Sequence, residues 1–152
     1  KSIISKDIHW LISLLDSKDE GESAAKNLTK VSEYQAITLV LEPIMNRLEA
    51  GNTAWAVYIF ENLADRVDIS SYYPRMASVA KSLFKYPAYD SHQRVSNQQQ
   101  VGIELLRLIV AKVDLDKLLV SYERHAIKTA LEKIVTEHPY LKVKTEKIFA
   151  RL

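Results

Sequence analysis

The side chains that most often carry enzymatic chemistry are scattered along this sequence. The four histidines, His9, His92, His125 and His138, form no HExxH pair that would hold zinc on one helix face. Asp114-Leu115-Asp116 begins like a calcium loop, but no glycine follows in register, and helix capping accounts for these aspartates better. No Gly-x-Ser-x-Gly elbow occurs. The sequence therefore predicts a protein that is not an enzyme and that holds no metal and no cofactor.

A second group of residues has the character of a binding surface. At about 100° per residue, one side of the fourth predicted helix is apolar and the opposite side is not. The apolar side comprises Ala56, Phe60, Leu63 and Val67, and the opposite side comprises Trp55, Tyr58, Asn62 and Arg66. A tryptophan away from its own apolar face indicates either a ligand contact or packing against a neighbouring helix. Both interpretations stay open at this point.

The same rotation places polar and basic side chains outward on three other predicted helices. They are Lys26, Asn27 and Lys30 on the second, Gln100, Glu104 and Arg107 on the sixth, and Tyr140, Lys144, Lys147 and Arg151 on the eighth. Stacked in register, the four stripes would form one basic surface with amide and aromatic groups. Such a surface suits another protein or an extended acidic peptide, for which aromatic anchors supply contact energy. It also suits the phosphate backbone of a nucleic acid.

The segment Pro87 to Val95 is the one substantial predicted loop, and it offers a second candidate site. Its candidate residues are Tyr86, Tyr89, His92 and Arg94. Loops on repeat scaffolds often carry binding residues, and two tyrosines beside a proline would make an exposed anchor. The alternative is that the tyrosines fold back and cover the end of the third repeat.

Apolar residues at helical spacing predict the elements that position these side chains. Eight helices are expected at about 6–16, 22–31, 32–50, 52–67, 71–86, 96–113, 114–136 and 139–152. Ser32 and Gln35 form a predicted capping box, Pro43 is expected to bend or split the third helix, and Gly51 is expected to end it. The apolar residues of the seventh helix are Leu118, Tyr122, Ala126, Ala130 and Ile134.

Composition narrows the class of protein further. The chain has 152 residues with 3 glycines and 4 prolines, which excludes an all-β fold and a glycine-rich phosphate loop. It has no cysteine, which favours a reducing, cytoplasmic location, and no apolar run long enough to span a membrane. Residues 1–65 carry 6 basic and 10 acidic side chains, and residues 117–152 carry 8 and 4. The C-terminal end is the expected anion site, unless the imbalance is only an uneven solvated surface.

The sequence also repeats itself. Leu14-Leu15-Asp16 matches Ile134-Val135-Thr136 at an offset of 120 residues, and four helix pairs fit the chain. The chain resembles the HEAT and armadillo repeat families through Ala54-Trp55-Ala56 leading to Asn62-Leu63-Ala64, through Val143-Lys144, and through His138-Pro139 at an inter-helix turn. The resemblance implies a short right-handed α-solenoid of about four helix pairs. It implies one repeat domain over residues 1–152, either alone or as a piece of a longer array.

These observations lead to one functional prediction and one alternative. The prediction is a non-enzymatic module that binds a partner protein or an extended acidic peptide on the surface formed by the second helices of the repeats. The alternative is a HEAT-like domain that binds nucleic acid through its basic C-terminal repeat. The sequence leaves the oligomeric state open.

Overall fold

A computed structural model describes residues 5–85 and 97–152, and the regular structure of that part of the chain is entirely helical. Its α-helices are α1 (Ser5–Ser13), α2 (Gly21–Thr29), α3 (Tyr34–Glu49), α4 (Ala56–Ala64), α5 (Tyr73–Leu83), α6 (Asn97–Val110), α7 (Ser121–Glu137) and α8 (Lys142–Ala150). Single 3₁₀ turns lie at Ser70–Tyr72, Leu115–Lys117 and Pro139–Leu141. The prediction of an all-α protein is confirmed.

The chain divides into two compact units, each with its own core. Unit 1 is Lys1–Tyr72 and unit 2 is Tyr73–Leu152. In unit 1, α1 packs against α2 and α3, and α4 packs against the same two helices. The most deeply buried side chains of unit 1 include Leu28, Met45 and Phe60. Burial of side chains of this size provides most of the stability of a small helical unit.

The third helix departs from its predicted start. The predicted capping box is wrong: α3 begins at Tyr34, the extended residue Glu33 occupies the cap position, and no side chain caps the helix. Because the helix begins two residues after Ser32, the Ser32 hydroxyl lies outside the capping position. Pro43 does not split α3, which continues from Tyr34 to Glu49.

The turn after α3 explains where α4 begins. Gly51 has φ of 91° and ends α3 as predicted. The Gly51 amide donates to the Leu48 carbonyl at 3.0 Å and the Asn52 amide donates to the Arg47 carbonyl at 2.8 Å, which together form a Schellman motif. Asn52 therefore takes part in closing α3, and the predicted start of the fourth helix at about residue 52 is wrong. The fourth helix begins at Ala56 instead, with Trp55 in the left-handed conformation at its cap position.

Unit 2 is built around α5 and α6. The two helices pack against each other, α6 also packs against α8, and α5 also packs against α7. A Cβ atom at Gly102 of α6 would lie 2.9 Å from the ring of Phe84. The glycine thus allows α6 and the aromatic ring that follows α5 to approach closely.

The seventh helix starts later and turns a different face inward than predicted. It begins at Ser121, and Asp114 stands at the N-terminal position of the separate 3₁₀ turn Leu115–Lys117, where its side chain makes no cap hydrogen bond. Its buried residues are Ile127, Leu131 and Ile134. Tyr122 and Ala126 of the predicted apolar stripe are exposed. A stripe read in steps of four residues drifts by about 40° per step, so it leaves the buried face within two turns.

Candidate functional site

An apolar groove lies between α5 and α7 in unit 2. It is called the α5–α7 groove, and it is lined by Lys81, Phe84, Lys85, Tyr122, Glu123, Ala126, Ile127 and Ala130. The cavity has a volume of about 270 Å³ and is open on one side. Pockets for drug-sized molecules usually have about 300–1,000 Å³, so this one has room for little more than a single large side chain.

The floor of the α5–α7 groove is apolar and its rim is aromatic. Phe84 and Ile127 are buried, and Ala130 is half-buried beside them. Ala126 and Ala130 leave the groove open because neither has an atom beyond Cβ. Tyr122 lies at the N-terminal end of α7 with 74% of its surface exposed. An exposed aromatic side chain beside an open apolar floor is typical of a surface that contacts a partner.

One ion pair crosses the α5–α7 groove. The Lys81 ammonium on α5 lies 2.8 Å from a carboxylate oxygen of Glu123 on α7. Glu123 also accepts a hydrogen bond of 3.2 Å from the Val120 amide, so the same carboxylate caps α7. The Lys81 hydrogen bond, with that of Val120, holds the pKa of Glu123 below its usual value of 4.5. The Glu123 carboxylate raises the pKa of Lys81 above its usual 10.5.

In unit 1 the predicted site residues Trp55 and Tyr58 lie together. Their rings are 5.8 Å apart between centroids and nearly perpendicular, at 83°. Both side chains are half-buried. The indole nitrogen of Trp55 lies 3.0 Å from the place where a Cβ atom at Gly21 would be. Trp55 therefore packs against the start of α2, and whether its exposed part also contacts a ligand stays a prediction.

The other two predicted residues of unit 1 make internal hydrogen bonds. The Asn62 amide donates to the Tyr58 carbonyl of its own helix at 2.7 Å. The Arg66 guanidinium donates to the carbonyls of Thr29 and Val31, just at the end of α2. These carbonyls lack partners within the helix, so Arg66 satisfies them and joins α4 to α2.

In unit 2 most of the predicted basic residues are already paired. Glu104 pairs with Arg107 at 3.3 Å and also with Lys144, so α6 and α8 share one carboxylate. Arg151 pairs with Asp114. Lys147 is exposed, and among the described residues it has no ion-pair partner. Three of the cations that were expected to form a common anion site, Arg107, Lys144 and Arg151, thus have acidic neighbours within the chain.

The remaining predicted residues give less information. Tyr140 has 66% of its surface exposed, and its ring lies 6.0 Å from that of His138. The loop candidates Tyr86, Tyr89, His92 and Arg94 lie outside the described residues. The predicted residues on α4 belong to unit 1, and those on α6 and α8 belong to unit 2. Whether they share one surface stays a prediction.

Sequence reasoning missed the α5–α7 groove as a site. The predicted apolar stripe of the seventh helix runs through Tyr122, Ala126, Ala130 and Ile134. Only Ile134 of this stripe is among the buried residues of α7, where it is joined by the large aliphatic residues Ile127 and Leu131. If side-chain size is considered together with spacing, the sequence predicts the larger aliphatic residues on the buried face of the helix and Tyr122 on the exposed face. Nothing in the sequence indicated that α5 would supply the other wall.

Residues 5–85 and 97–152 contain neither a metal-binding cluster nor a membrane-spanning helix. Within those ranges no group of three or more histidine, cysteine, aspartate or glutamate side chains is placed to hold a metal ion. None of the helices described there is long and apolar enough to cross a membrane. Comparisons of the chain with protein-family models, with curated proteins and with solved structures found no match.

Proposed function

We propose that the chain is a non-enzymatic interaction domain that binds a segment of another protein in the α5–α7 groove. The observation that carries the proposal is the open apolar floor of that groove with Tyr122 exposed on its rim. Aromatic side chains that can insert or be covered at an apolar floor are the residues that most often dominate binding at protein interfaces. The small volume favours one side chain of a polypeptide over a cofactor.

The predicted surface on the second helices has less support as the main site. Arg107 and Lys144 share Glu104, and Arg151 pairs with Asp114, so a ligand anion would have to compete with these carboxylates. Arg66 is engaged at the end of α2. Competition of this kind lowers the net gain from each new ion pair.

The neighbour relations of the helices support a HEAT or armadillo type of solenoid as the scaffold. In unit 1 the first helices of the two pairs, α1 and α3, pack together, and so do the second helices, α2 and α4. Unit 2 repeats this relation with α5 and α7, and with α6 and α8. An experimental structure would test whether the second and third pairs stack in the same way. The lack of cysteine supports a cytoplasmic location as part of the same proposal.

The binding proposal is tested by selecting displayed random peptides on the immobilised chain. We expect enriched peptides whose affinity falls about 30-fold in Tyr122→Ala, because truncating an aromatic hot spot costs about 2 kcal/mol. Tyr140→Ala is the matched control, since it removes an equally exposed tyrosine outside the groove. Peptides that lose affinity only in Tyr140→Ala would move the site to the 3₁₀ turn before α8 and contradict the proposal.

Binding of nucleic acid is the alternative, and the charge of unit 2 favours it. Unit 2 holds 14 basic and 8 acidic residues. A duplex ligand would show a logarithmic salt slope of about −0.9 per phosphate contacted. Binding of the duplex should be lost when Lys144, Lys147 and Arg151 are replaced together. Tyr122→Ala should leave that binding unchanged. Such a result would replace the protein-binding proposal.

A further inference from the structure

We infer that the α5–α7 groove takes an acidic segment of a partner protein, with one bulky apolar side chain inserted and a neighbouring carboxylate bound by Lys85. This inference rests on the proposed function and adds the chemistry of the ligand. It follows from the shape of the groove, from its local charge and from the charge of the whole unit.

The shape of the groove selects one bulky apolar side chain. Its floor presents the buried residues Phe84 and Ile127, and a volume of about 270 Å³ is offered between α5 and α7. Gly102 lies against the ring of Phe84, at 2.9 Å from its Cβ position, so the ring is held from behind. A fixed apolar floor of this kind favours phenylalanine or leucine over a polar side chain, which would lose its hydration without gaining a partner.

The local charge selects a carboxylate next to that side chain. Lys81 and Glu123 face each other at 2.8 Å, so their charges largely cancel at the lining. Lys85 is exposed and makes no ion pair with any other residue in the described ranges, although it lines the same groove. One positive charge is therefore left over beside the apolar floor. A carboxylate near the inserted side chain is the group that complements it.

The charge of the whole unit acts in the same direction at longer range. Unit 2 carries 14 basic and 8 acidic residues, whereas unit 1 carries 7 and 11. A net positive unit attracts acidic segments before contact and speeds their association, especially at low ionic strength. Acidic segments with an apolar anchor therefore match unit 2 both at a distance and at the groove.

The test uses a fluorescently labelled peptide of about twelve residues, with one central phenylalanine flanked by glutamate and serine. Anisotropy titrations compare the wild type with Lys85→Glu and Lys142→Glu, which change the net charge of unit 2 equally. Lys142 is exposed on α8, outside the groove lining. We expect a loss of about tenfold or more in Lys85→Glu and less than about threefold in Lys142→Glu, because tenfold corresponds to 1.4 kcal/mol, within reach of one charge contact.

Two matched peptides test the apolar anchor and the acidic charge separately. The peptide with alanine in place of phenylalanine should bind at least about tenfold more weakly, since it lacks the anchor. The peptide with lysine in place of glutamate should also bind more weakly. If the lysine peptide binds as well as the acidic one, or if the two protein variants lose affinity equally, the acidic ligand is wrong. The proposed function would then still stand on peptides selected through Tyr122.

Other occupants of the groove would give different results. A single-stranded oligonucleotide that displaces the acidic peptide and depends on Lys85 would identify a nucleic acid as the ligand and overturn the inference. Sedimentation that shows self-association of the wild type, lost in Tyr122→Ala, would identify a second copy of the chain and overturn it as well. If no selected peptide depends on Tyr122, the proposed function fails and the inference fails with it.

Discussion

Arg66 illustrates how a residue chosen as a ligand contact can serve the fold instead. Its guanidinium donates to the carbonyls of Thr29 and Val31, which α2 leaves without helical partners. We expect Arg66→Ala to lower the free energy of unfolding by about 1 kcal/mol, because charged hydrogen bonds are lost at a mostly exposed side chain. Urea denaturation measures this change.

Two substitutions define what Arg66 contributes. Arg66→Lys keeps the charge but lacks the planar fork that reaches two carbonyls, so it should recover only part of the loss. Lys26→Ala, at an exposed residue of α2, should change stability by less than about 0.5 kcal/mol. Equal effects of Arg66→Ala and Lys26→Ala would show that the hydrogen bonds contribute nothing.

Glu123 links stability to pH. Its pKa is lowered in the folded chain by the Lys81 hydrogen bond and by the Val120 amide. A carboxyl group with a lowered pKa stabilises the fold above its usual pKa of 4.5, and this stabilisation is lost as the pH falls through the folded pKa. We expect the stability difference between wild type and Glu123→Gln to be constant near neutral pH and to shrink below about pH 4.5.

Thermal or urea unfolding at a series of pH values measures that difference. Glu132→Gln is the control, because Glu132 is exposed on the same helix and makes no ion pair with another described residue. Its difference from the wild type should stay near zero across the series. A Glu123→Gln difference that grows as the pH falls would contradict the assigned sign.

At the scale of elements, the face of α7 has the most direct test. Leu131 is fully buried, and Thr129 on the same helix is exposed. Leu131→Ala should destabilise the chain by about 2–5 kcal/mol through lost burial and a cavity, and Thr129→Ala by less than about 0.5 kcal/mol. Urea denaturation compares the two variants. Similar losses would mean that the helix is turned as the sequence stripe predicted.

The approach of α1 and α4 to α2 gives a second prediction at this scale. A Cβ atom at Gly21 would lie 2.7 Å from the Leu15 carbonyl oxygen and 3.0 Å from the Trp55 indole nitrogen. Alanine is ordinarily the better helix former by about 1 kcal/mol. We nevertheless expect Gly21→Ala to destabilise the chain by about 1–3 kcal/mol, since backbone must move to make room. A stabilised variant in thermal unfolding would refute the close contact.

The elements also show what sequence reasoning can and cannot reach. The existence of the helices was predictable, because apolar periodicity is a local property and Gly51 marks a helix end through its own backbone. The start of α4 was not predictable, because Asn52 belongs to the end of the preceding helix, where its amide donates to the Arg47 carbonyl. The α5–α7 groove was not predictable either. Its walls come from residues 81–85 and 122–130, and only tertiary packing brings those together.

At the scale of the whole molecule, the C-terminal end is rich in basic residues, but several of these residues pair with carboxylates of the same chain. The basic C-terminal end was expected to present free cations to an anion. Glu104 instead pairs with Arg107 of its own helix and with Lys144, which lies 40 positions further along the sequence. Long-range pairs of this kind cannot be counted from the sequence, because net charge records how many charges exist and not which ones meet.

The placement of the tryptophans gives the chain a built-in pair of optical probes. The chain has 2 tryptophans, Trp10 and Trp55, and both belong to unit 1. Indole fluorescence therefore follows the melting of unit 1 alone, whereas far-ultraviolet ellipticity adds the helices of both units. Coincidence of the two melting curves is the standard test for a single cooperative transition. The one domain predicted over residues 1–152 requires that they coincide, so the unsubstituted chain reports on its own cooperativity without any added label.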